Sequence, residues 1–115
     1  MKKHQARVVL VTCGTLSEAR RIARNVVEKR LAACVNIVVS PVESIYRWKE
    51  KVEASREYLL VIKSTANRLP ELERQVQLLH SYDVPEFIVL PIVAGFRGYL
   101  KWLGESVAPK SRPKK

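Results

Sequence analysis

The stretch REYLLVIKSTANRLPELERQVQLL, residues 56–79, decides the fold of this chain. Its first part, residues 56–65, is rich in Leu, Val and Ile, a composition typical of a β-strand. The apolar residues that follow recur at intervals of three and four, as on one face of a helix, and they are Leu69, Leu72, Val76 and Leu79. Asn67 is expected to cap this helix, and Pro70 suits its first turn, where a missing N–H costs no hydrogen bond. The stretch therefore predicts a strand followed by a helix that packs on the sheet.

A second strand region, residues 34–48 (CVNIVVSPVESIYRW), lies before this stretch. Pro41 cannot donate a ladder hydrogen bond, so the region forms either one long bent strand or two strand pieces around a kink. Residues 49–55 are polar and are interpreted as the turn that leads into the strand at 56–65. The two strand regions are then expected to pair as a hairpin.

The N-terminal part predicts one strand and one helix. Residues 7–12 (RVVLVT) are β-branched and apolar, as in a covered strand. Thr15 and Glu18 form the T-x-x-E pattern of a capping box, in which a hydroxyl and a carboxylate bind free backbone donors at a helix start. Apolar residues at helical spacing then continue as far as Leu31.

The C-terminal part predicts a further strand and a short helix. Residues 86–94 (EFIVLPIVA) read as a strand in which Pro91 is tolerated only at an edge or a bulge. A short helix containing Tyr99 and Trp102 follows. The order β, α, β, β, α, β with an extra C-terminal helix predicts an α+β, ferredoxin-like sandwich, in which two helices cover one face of an antiparallel sheet.

The 115 residues suffice for one domain, expected over residues 1–107, and residues 108–115 form a basic tail that is expected to be disordered. The formal net charge is +10. Part of it comes from a basic group on the first predicted helix, interpreted as a solvated face, with an anion or nucleic-acid patch as the alternative. No apolar run is long enough for a membrane span or a signal peptide, so we expect no membrane association and a cytoplasmic location.

The strand region at 34–48 is longer than the sheet of a small monomer can pair, at about 3.3 Å per residue. In the ferredoxin-like layout one sheet face carries no helix, and long apolar strands there would leave a patch that soluble monomers rarely expose. We therefore expect the strand to bend or to pair with another copy of the chain.

Four short motifs add a resemblance to a known family. They are residues 30–37 (RLAACVNI), 44–48 (SIYRW), 80–86 (HSYDVPE) and 99–103 (YLKWL). Together they resemble the signatures of the CutA family of divalent-cation-tolerance proteins. That family is similar in architecture to the PII signalling proteins, so the resemblance implies a homotrimer of ferredoxin-like subunits whose sheets associate edge to edge. It also implies a link to copper and other divalent metals.

Few residues can serve as soft or borderline metal ligands, namely Met1, His4, Cys13, Cys34 and His80. No C-x-x-C or H-x-x-x-H spacing occurs, so a closed metal site within one subunit is not expected, and a trimer would collect ligands from neighbouring chains. The predicted metal residues are Cys34, His80, Cys13 and Glu86. Alternatively, Cys34 is a small buried hydrophobe and His80 caps helix carbonyls.

Lys63, Tyr82 and Trp48 are the predicted lining of a ligand cleft between subunits. Lys63 stands in an otherwise apolar strand, and it either snorkels to an edge or faces a polar cleft. Trp48 is also interpretable as a core or interface aromatic. Ser81 replaces the proline usual in the family motif, which loosens the turn after His80.

These features favour a non-enzymatic, CutA-like protein that binds copper, zinc or another divalent cation in clefts between subunits. The alternative is a PII-like trimer that senses a small anionic ligand without physiological metal binding. An RNA-binding module is disfavoured because residues 56–65 offer only Tyr58 for base stacking. An acylphosphatase-like enzyme would use residues 13–15 as a phosphate loop, for which a single glycine is weak support.

Overall fold

The computed structural model describes residues 5–109 as one antiparallel β-sheet with three α-helices. In chain order the elements are β1 (Ala6–Cys13), α1 (Leu16–Glu28), β2 (Cys34–Ile37), β3 (Val42–Trp48), β4 (Lys51–Thr65), α2 (Leu69–Leu79), β5 (Ile88–Pro91) and α3 (Arg97–Ser106). The predictions for residues 110–115 of the tail, and for Met1 and His4 as ligands, lie outside the described residues. Among residues 5–109, no helix combines the length and the apolar composition needed to cross a membrane.

β4 is the strand on which the sheet is built. β1 pairs antiparallel with β4, and β5 pairs with the other edge of β1. β2 and β3 both pair with β4 on its remaining edge. With β2 and β3 taken as two parts of one strand, the strand order is that of a ferredoxin-like sheet, so the predicted α+β fold is confirmed.

The main core lies between the sheet and helices α1 and α2. Alternate strand residues and one stripe of each helix point into it, and its largest fully buried members are Val9, Val11, Ile22, Val26, Leu60, Ile62, Leu72 and Val76. Burying each such side chain contributes about 1.5–3 kcal/mol to folding. Thr15 begins α1 as the capping pattern predicts, because its hydroxyl oxygen accepts the Glu18 N–H at 3.1 Å.

The helix α3 packs on the other face of the sheet. It contributes Leu103 to a smaller cluster that also contains Ala33 and Val107, with Ile92 packed against it. The predicted short C-terminal helix is thus confirmed, and it covers part of the face that α1 and α2 leave open.

β3 and the first half of β4 form a hairpin that extends beyond β1. β4 is 15 residues long, but β1 pairs with it only from Tyr58 onward, so within the described chain residues 51–57 pair with β3 alone. The domain is accordingly elongated, measuring 56 × 33 × 24 Å. Of the two alternatives for residues 34–48, the structure has two strand pieces, separated at residues 38–41 around Pro41.

The interpretation of residues 49–55 as a turn is wrong. β4 begins at Lys51, and the turn consists of Lys49 and Glu50. Their φ angles are 49° and 67°, the left-handed conformation that a tight two-residue hairpin turn requires at both positions. The polar composition that suggested a loop also suits an exposed two-stranded ribbon, because charged side chains can reach water from both of its faces.

Two further element ends differ from the predictions. Asn67 does not cap α2, because it lies in a short 3₁₀ turn (Ala66–Arg68), where it accepts a hydrogen bond from the Thr65 hydroxyl at 2.6 Å. β5 is shorter than the predicted 86–94. Pro91 ends β5 at the edge of the sheet, where its missing N–H costs no ladder bond, as the sequence predicts.

The substitution Glu50→Gly is expected to raise the free energy of unfolding by about 1 kcal/mol, because glycine adopts a positive φ without a Cβ clash. Urea denaturation would measure the change. Glu53→Gly, which alters β4 opposite Tyr46, is the matched control and is expected to destabilise the protein. Destabilisation by both substitutions would contradict the turn geometry.

Candidate functional site

Three buried side chains meet where β1 ends and α1 begins. Cys13 is the last residue of β1, Glu18 lies in the first turn of α1, and His80 follows α2 directly. One sulfur, one oxygen and one nitrogen from these side chains lie within 4.8 Å of one another, which is close enough for a set of metal ligands. The structure therefore brings together two of the predicted metal residues, Cys13 and His80, and their metal role stays a prediction.

The ring of His80 makes a hydrogen bond at each nitrogen. Nε2 donates to the carbonyl oxygen of Thr12 at 2.7 Å, and Nδ1 accepts the N–H of Tyr82 at 3.1 Å. Because a carbonyl oxygen can only accept, this pattern describes a neutral imidazole with its proton on Nε2. The Glu18 carboxylate lies 3.4 Å from Nδ1 and accepts the N–H of Ser81, also at 3.4 Å. In this arrangement His80 has no free nitrogen to offer a metal ion.

Cys13 is also poorly suited to bind a metal in this conformation. Burial first, and then the negative charges of Glu18 and Glu57, raise the pKa of its thiol to about 12, while Arg21 acts in the opposite direction. A thiol binds a metal as its thiolate, so a neutral Cys13 is a weak ligand near pH 7. The cluster thus serves first as a hydrogen-bonded support for the segment after His80.

An open cleft of about 570 Å³ lies next to this cluster. One wall is the β3–β4 hairpin with its aromatic side chains, and the other is the segment 82–86 that His80 helps to position. The lining residues are Thr12, Ser44, Ile45, Tyr46, Trp48, Glu57, Tyr82, Asp83, Val84 and Glu86. Two of the predicted cleft residues, Tyr82 and Trp48, therefore meet here with the predicted ligand Glu86.

Glu57 and Tyr82 join the two walls of the cleft. The Tyr82 hydroxyl donates to Glu57 Oε2 at 2.8 Å, and Glu57 is only 8% exposed. Burial first, and then this hydrogen bond and the charge of Glu57, raise the pKa of Tyr82 well above its usual range, so the hydroxyl remains a donor. Gly14 leaves room for the contact, because a Cβ at this position would lie 3.2 Å from the Tyr82 hydroxyl oxygen.

Glu86 faces the same cleft as Glu57. Burial raises the pKa of Glu86, the negative charge of Glu57 raises it further, and a hydrogen bond with Thr12 acts in the opposite direction. Asp83 adds a third carboxyl group to the lining. Within residues 5–109, no Lys, Arg or His side chain lines this cleft, although the whole chain carries a net charge of +10. The local field therefore favours a cation over an anion.

The other two predicted site residues, Cys34 and Lys63, lie elsewhere. They are directly opposite each other in the β2–β4 register, and Lys63 is six residues from Glu57 along β4, about 20 Å at the usual strand rise. The Lys63 amine donates a hydrogen bond to the side chain of Asn36. A cationic amine close to Cys34 disfavours a metal cation at this position.

Sequence reasoning missed Glu57 and the contacts of Glu18. Glu18 is recognisable from sequence as a capping residue, but its contact with His80 joins residues far apart along the chain. Glu57 lies in the polar stretch next to the apolar part of β4, and only the pairing with β3 and the approach of Tyr82 place it in a cleft. No local pattern predicts either contact.

The single antiparallel sheet, with two helices on one face, places the chain in the class of ferredoxin-like α+β proteins. The sequence model of a family described as CutA1 divalent ion tolerance protein matches residues 7–106. This chain belongs to the CutA1 family, and the resemblance found in its motifs is confirmed.

Individual relatives agree with this assignment. The chain is 50% identical to the divalent-cation tolerance protein CutA of Thermus thermophilus over 99 aligned residues. This alignment covers 86% of this chain and 95% of that protein. It is 44% identical to the chloroplastic protein CutA of Arabidopsis thaliana over 86% of this chain and 54% of that protein. A solved structure of the Thermus thermophilus protein, 48% identical here, superposes with a TM-score of 0.87 over 90% of this chain and 99% of that one.

The substitution Glu86→Gln is expected to raise the free energy of unfolding near neutral pH and to change it little in acid. Because the folded-state pKa of Glu86 is raised, the unfolded chain loses this proton at a lower pH than the folded protein does. Ionisation of Glu86 therefore lowers the free energy of unfolding as the pH rises from the pKa of Glu86 in the unfolded chain through its pKa in the folded protein. Gln avoids this loss because it does not ionise.

Urea denaturation over a series of pH values would test this expectation. Glu73→Gln, on the exposed face of α2, controls for the loss of one negative charge. A stabilisation by Glu86→Gln that is equal at acidic and neutral pH would contradict the expectation.

Proposed function

We propose that this chain is a non-enzymatic protein that binds a divalent cation, copper(II) or zinc, in the acidic cleft and works as a homotrimer. The observation that carries the proposal is the pair Glu57 and Glu86, two partly desolvated carboxyl groups that face one open cleft. Membership of a family described by divalent ion tolerance supports a divalent cation as the ligand.

The donor atoms of the cleft suit such an ion. Copper(II) and zinc both accept carboxylate oxygen. A cation between Glu57 and Glu86 would offset the repulsion that, after burial, raises the pKa of Glu86. Glu57 and Glu86 would hold the ion, and Asp83 would add negative charge beside it. Glu18 and His80 position the segment 81–86, and Cys13 and His80 become ligands only if the bond between His80 Nδ1 and the Tyr82 N–H opens.

The hairpin supports the trimer. Residues 51–57 of β4 extend beyond β1, so their second edge has no strand beside it within the described chain. The hairpin also exposes apolar side chains to solvent, since Ile45 is 69% and Val52 67% exposed. Association of copies through these sheet margins would pair the open edge and cover the apolar side chains. Because the hairpin is one wall of the cleft, a neighbouring subunit would also narrow the cleft.

The acidic lining argues against a small anion or a nucleic acid in this cleft.

We keep residues 1–107 as the proposed domain, which is supported by the packing of Val107 against Leu103, and residues 108–115 as the proposed tail. The cytoplasmic location stays a prediction, since a relative is named as chloroplastic.

Calorimetric titration of the protein with copper(II) and with zinc tests the cation site. Glu57→Gln and Glu86→Gln are each expected to weaken binding about tenfold or more, because one charge-assisted contact is worth about 1.5–3 kcal/mol. Glu73→Gln is the charge-matched control and is expected to bind like the parent. Absence of saturable binding, or equal loss in all three variants, would contradict the site.

Light scattering coupled to gel filtration tests the assembly. We expect a mass three times the 13.2 kDa of one chain. Val52→Glu is expected to lower this mass, because it puts a charge on the proposed contact surface. A parent protein that elutes at 13.2 kDa in dilute buffer would contradict the trimer.

A further inference from the structure

A thiol and an amine face each other across β2 and β4. Cys34 and Lys63 are directly opposite partners in this antiparallel register, and both side chains are half-buried. Side chains at opposite positions have Cβ atoms about 4.5–5.5 Å apart, so a Lys amine can reach a neighbouring Cys sulfur. Both groups lie on the sheet face that α1 and α2 do not cover.

The side chain of Asn36 brings the two groups together. The Lys63 amine donates a hydrogen bond to Asn36 Oδ1 and lies 3.5 Å from the carbonyl oxygen of Val61. The Cys34 sulfur lies 4.0 Å from the same Oδ1. Tyr99 of α3 lies beside Cys34, and burial first and then the proximity of the Cys34 thiol raise the pKa of Tyr99. The fold thus holds sulfur and nitrogen around one amide oxygen.

Cys34 has no second thiol available within its own chain. The sequence contains only two cysteines, and both are free in the structure. Cys13 is fully buried in the core on the α1 and α2 side of the sheet, whereas Cys34 faces the other side. An oxidised Cys34 that reacts within its own chain would therefore meet the Lys63 amine rather than a thiol.

We propose that Cys34 and Lys63 form a covalent sulfur–nitrogen crosslink when the protein meets a hydroperoxide. The peroxide first transfers one oxygen atom to the Cys34 sulfur, its O–O bond breaks, and a sulfenic acid and water form. A Lys63 amine that has given up its extra proton to the mildly alkaline buffer then donates its lone pair to this sulfur. The S–N bond forms, the S–O bond breaks, and the leaving hydroxide departs as water with the amine proton.

The overall reaction balances. One thiol, one amine and one hydrogen peroxide give one sulfenamide and two waters, and sulfur loses two electrons to the peroxide. The crosslink fastens β2, a strand of four residues at the margin of the sheet, to the central strand β4. A thiol reductant reverses it and restores both side chains.

Mass spectrometry after brief peroxide treatment tests the proposal. The protein is treated in mildly alkaline buffer with a metal chelator, so that the result does not depend on the proposed cation site. We expect the intact mass to decrease by two hydrogen atoms, and a proteolytic digest to contain the peptide with Cys34 joined to the peptide with Lys63. Dithiothreitol is expected to separate the two peptides.

Two variants sharpen the test. Lys63→Arg keeps the positive charge but removes the nucleophilic amine, so dimedone is expected to trap a sulfenic acid at Cys34 and no crosslink is expected to form. Cys34→Ser is expected to show neither product. Dimedone trapping of the parent protein to the same extent as Lys63→Arg, a disulfide between Cys34 residues of two chains, or an unmodified Cys34 would each overturn the proposal.

Discussion

The pairing of β1 with β4 is the constraint on which the rest of the structure depends. Its register, from Ala6 opposite Thr65 to Cys13 opposite Tyr58, sends Val9 and Ile62 towards the helices and Lys63 towards the other face. Side chains alternate between the faces of a sheet, so a slip of one residue would exchange them. Lys63 would then enter the core. Burying its amine there without a hydrogen-bond partner would cost more free energy than a cross-strand pair of side chains contributes to stability.

The same ladder positions the candidate site. The carbonyl oxygen of Thr12, near the end of β1, accepts the ring N–H of His80, which ties the end of α2 to the sheet. His80 then accepts the N–H of Tyr82, and the Tyr82 hydroxyl reaches Glu57 on β4. This chain of hydrogen bonds fixes one wall of the cleft relative to the other. It also explains how three carboxyl groups can line one cleft of a basic protein, because the backbone contacts and the core hold them there against their mutual repulsion.

Local chemistry made much of the fold predictable. The periodic apolar stripe of α2 and the Thr15 cap depend on residues close in sequence, and both are found as predicted. The turn was misplaced because Lys49 and Glu50 adopt positive φ without the glycine that usually indicates such a turn. Asn67 has the chemistry of a cap, but the chain enters a 3₁₀ turn before α2 and uses it there. The site was predicted only in part, and Cys34 and Lys63 proved to be a cross-strand pair about 20 Å along β4 from the cleft.

The sequence by itself determined the order of strands and helices, the family, and the identity of most polar residues that the structure later uses. These depend on short-range spacing and on side-chain type, which can be read from the chain without knowing its path. Only the tertiary structure decided that His80 meets Cys13 and Glu18, that Glu57 meets Tyr82, and that Lys63 meets Cys34. The physical reason is that these contacts join residues distant in sequence, and their geometry is set by strand register and helix packing.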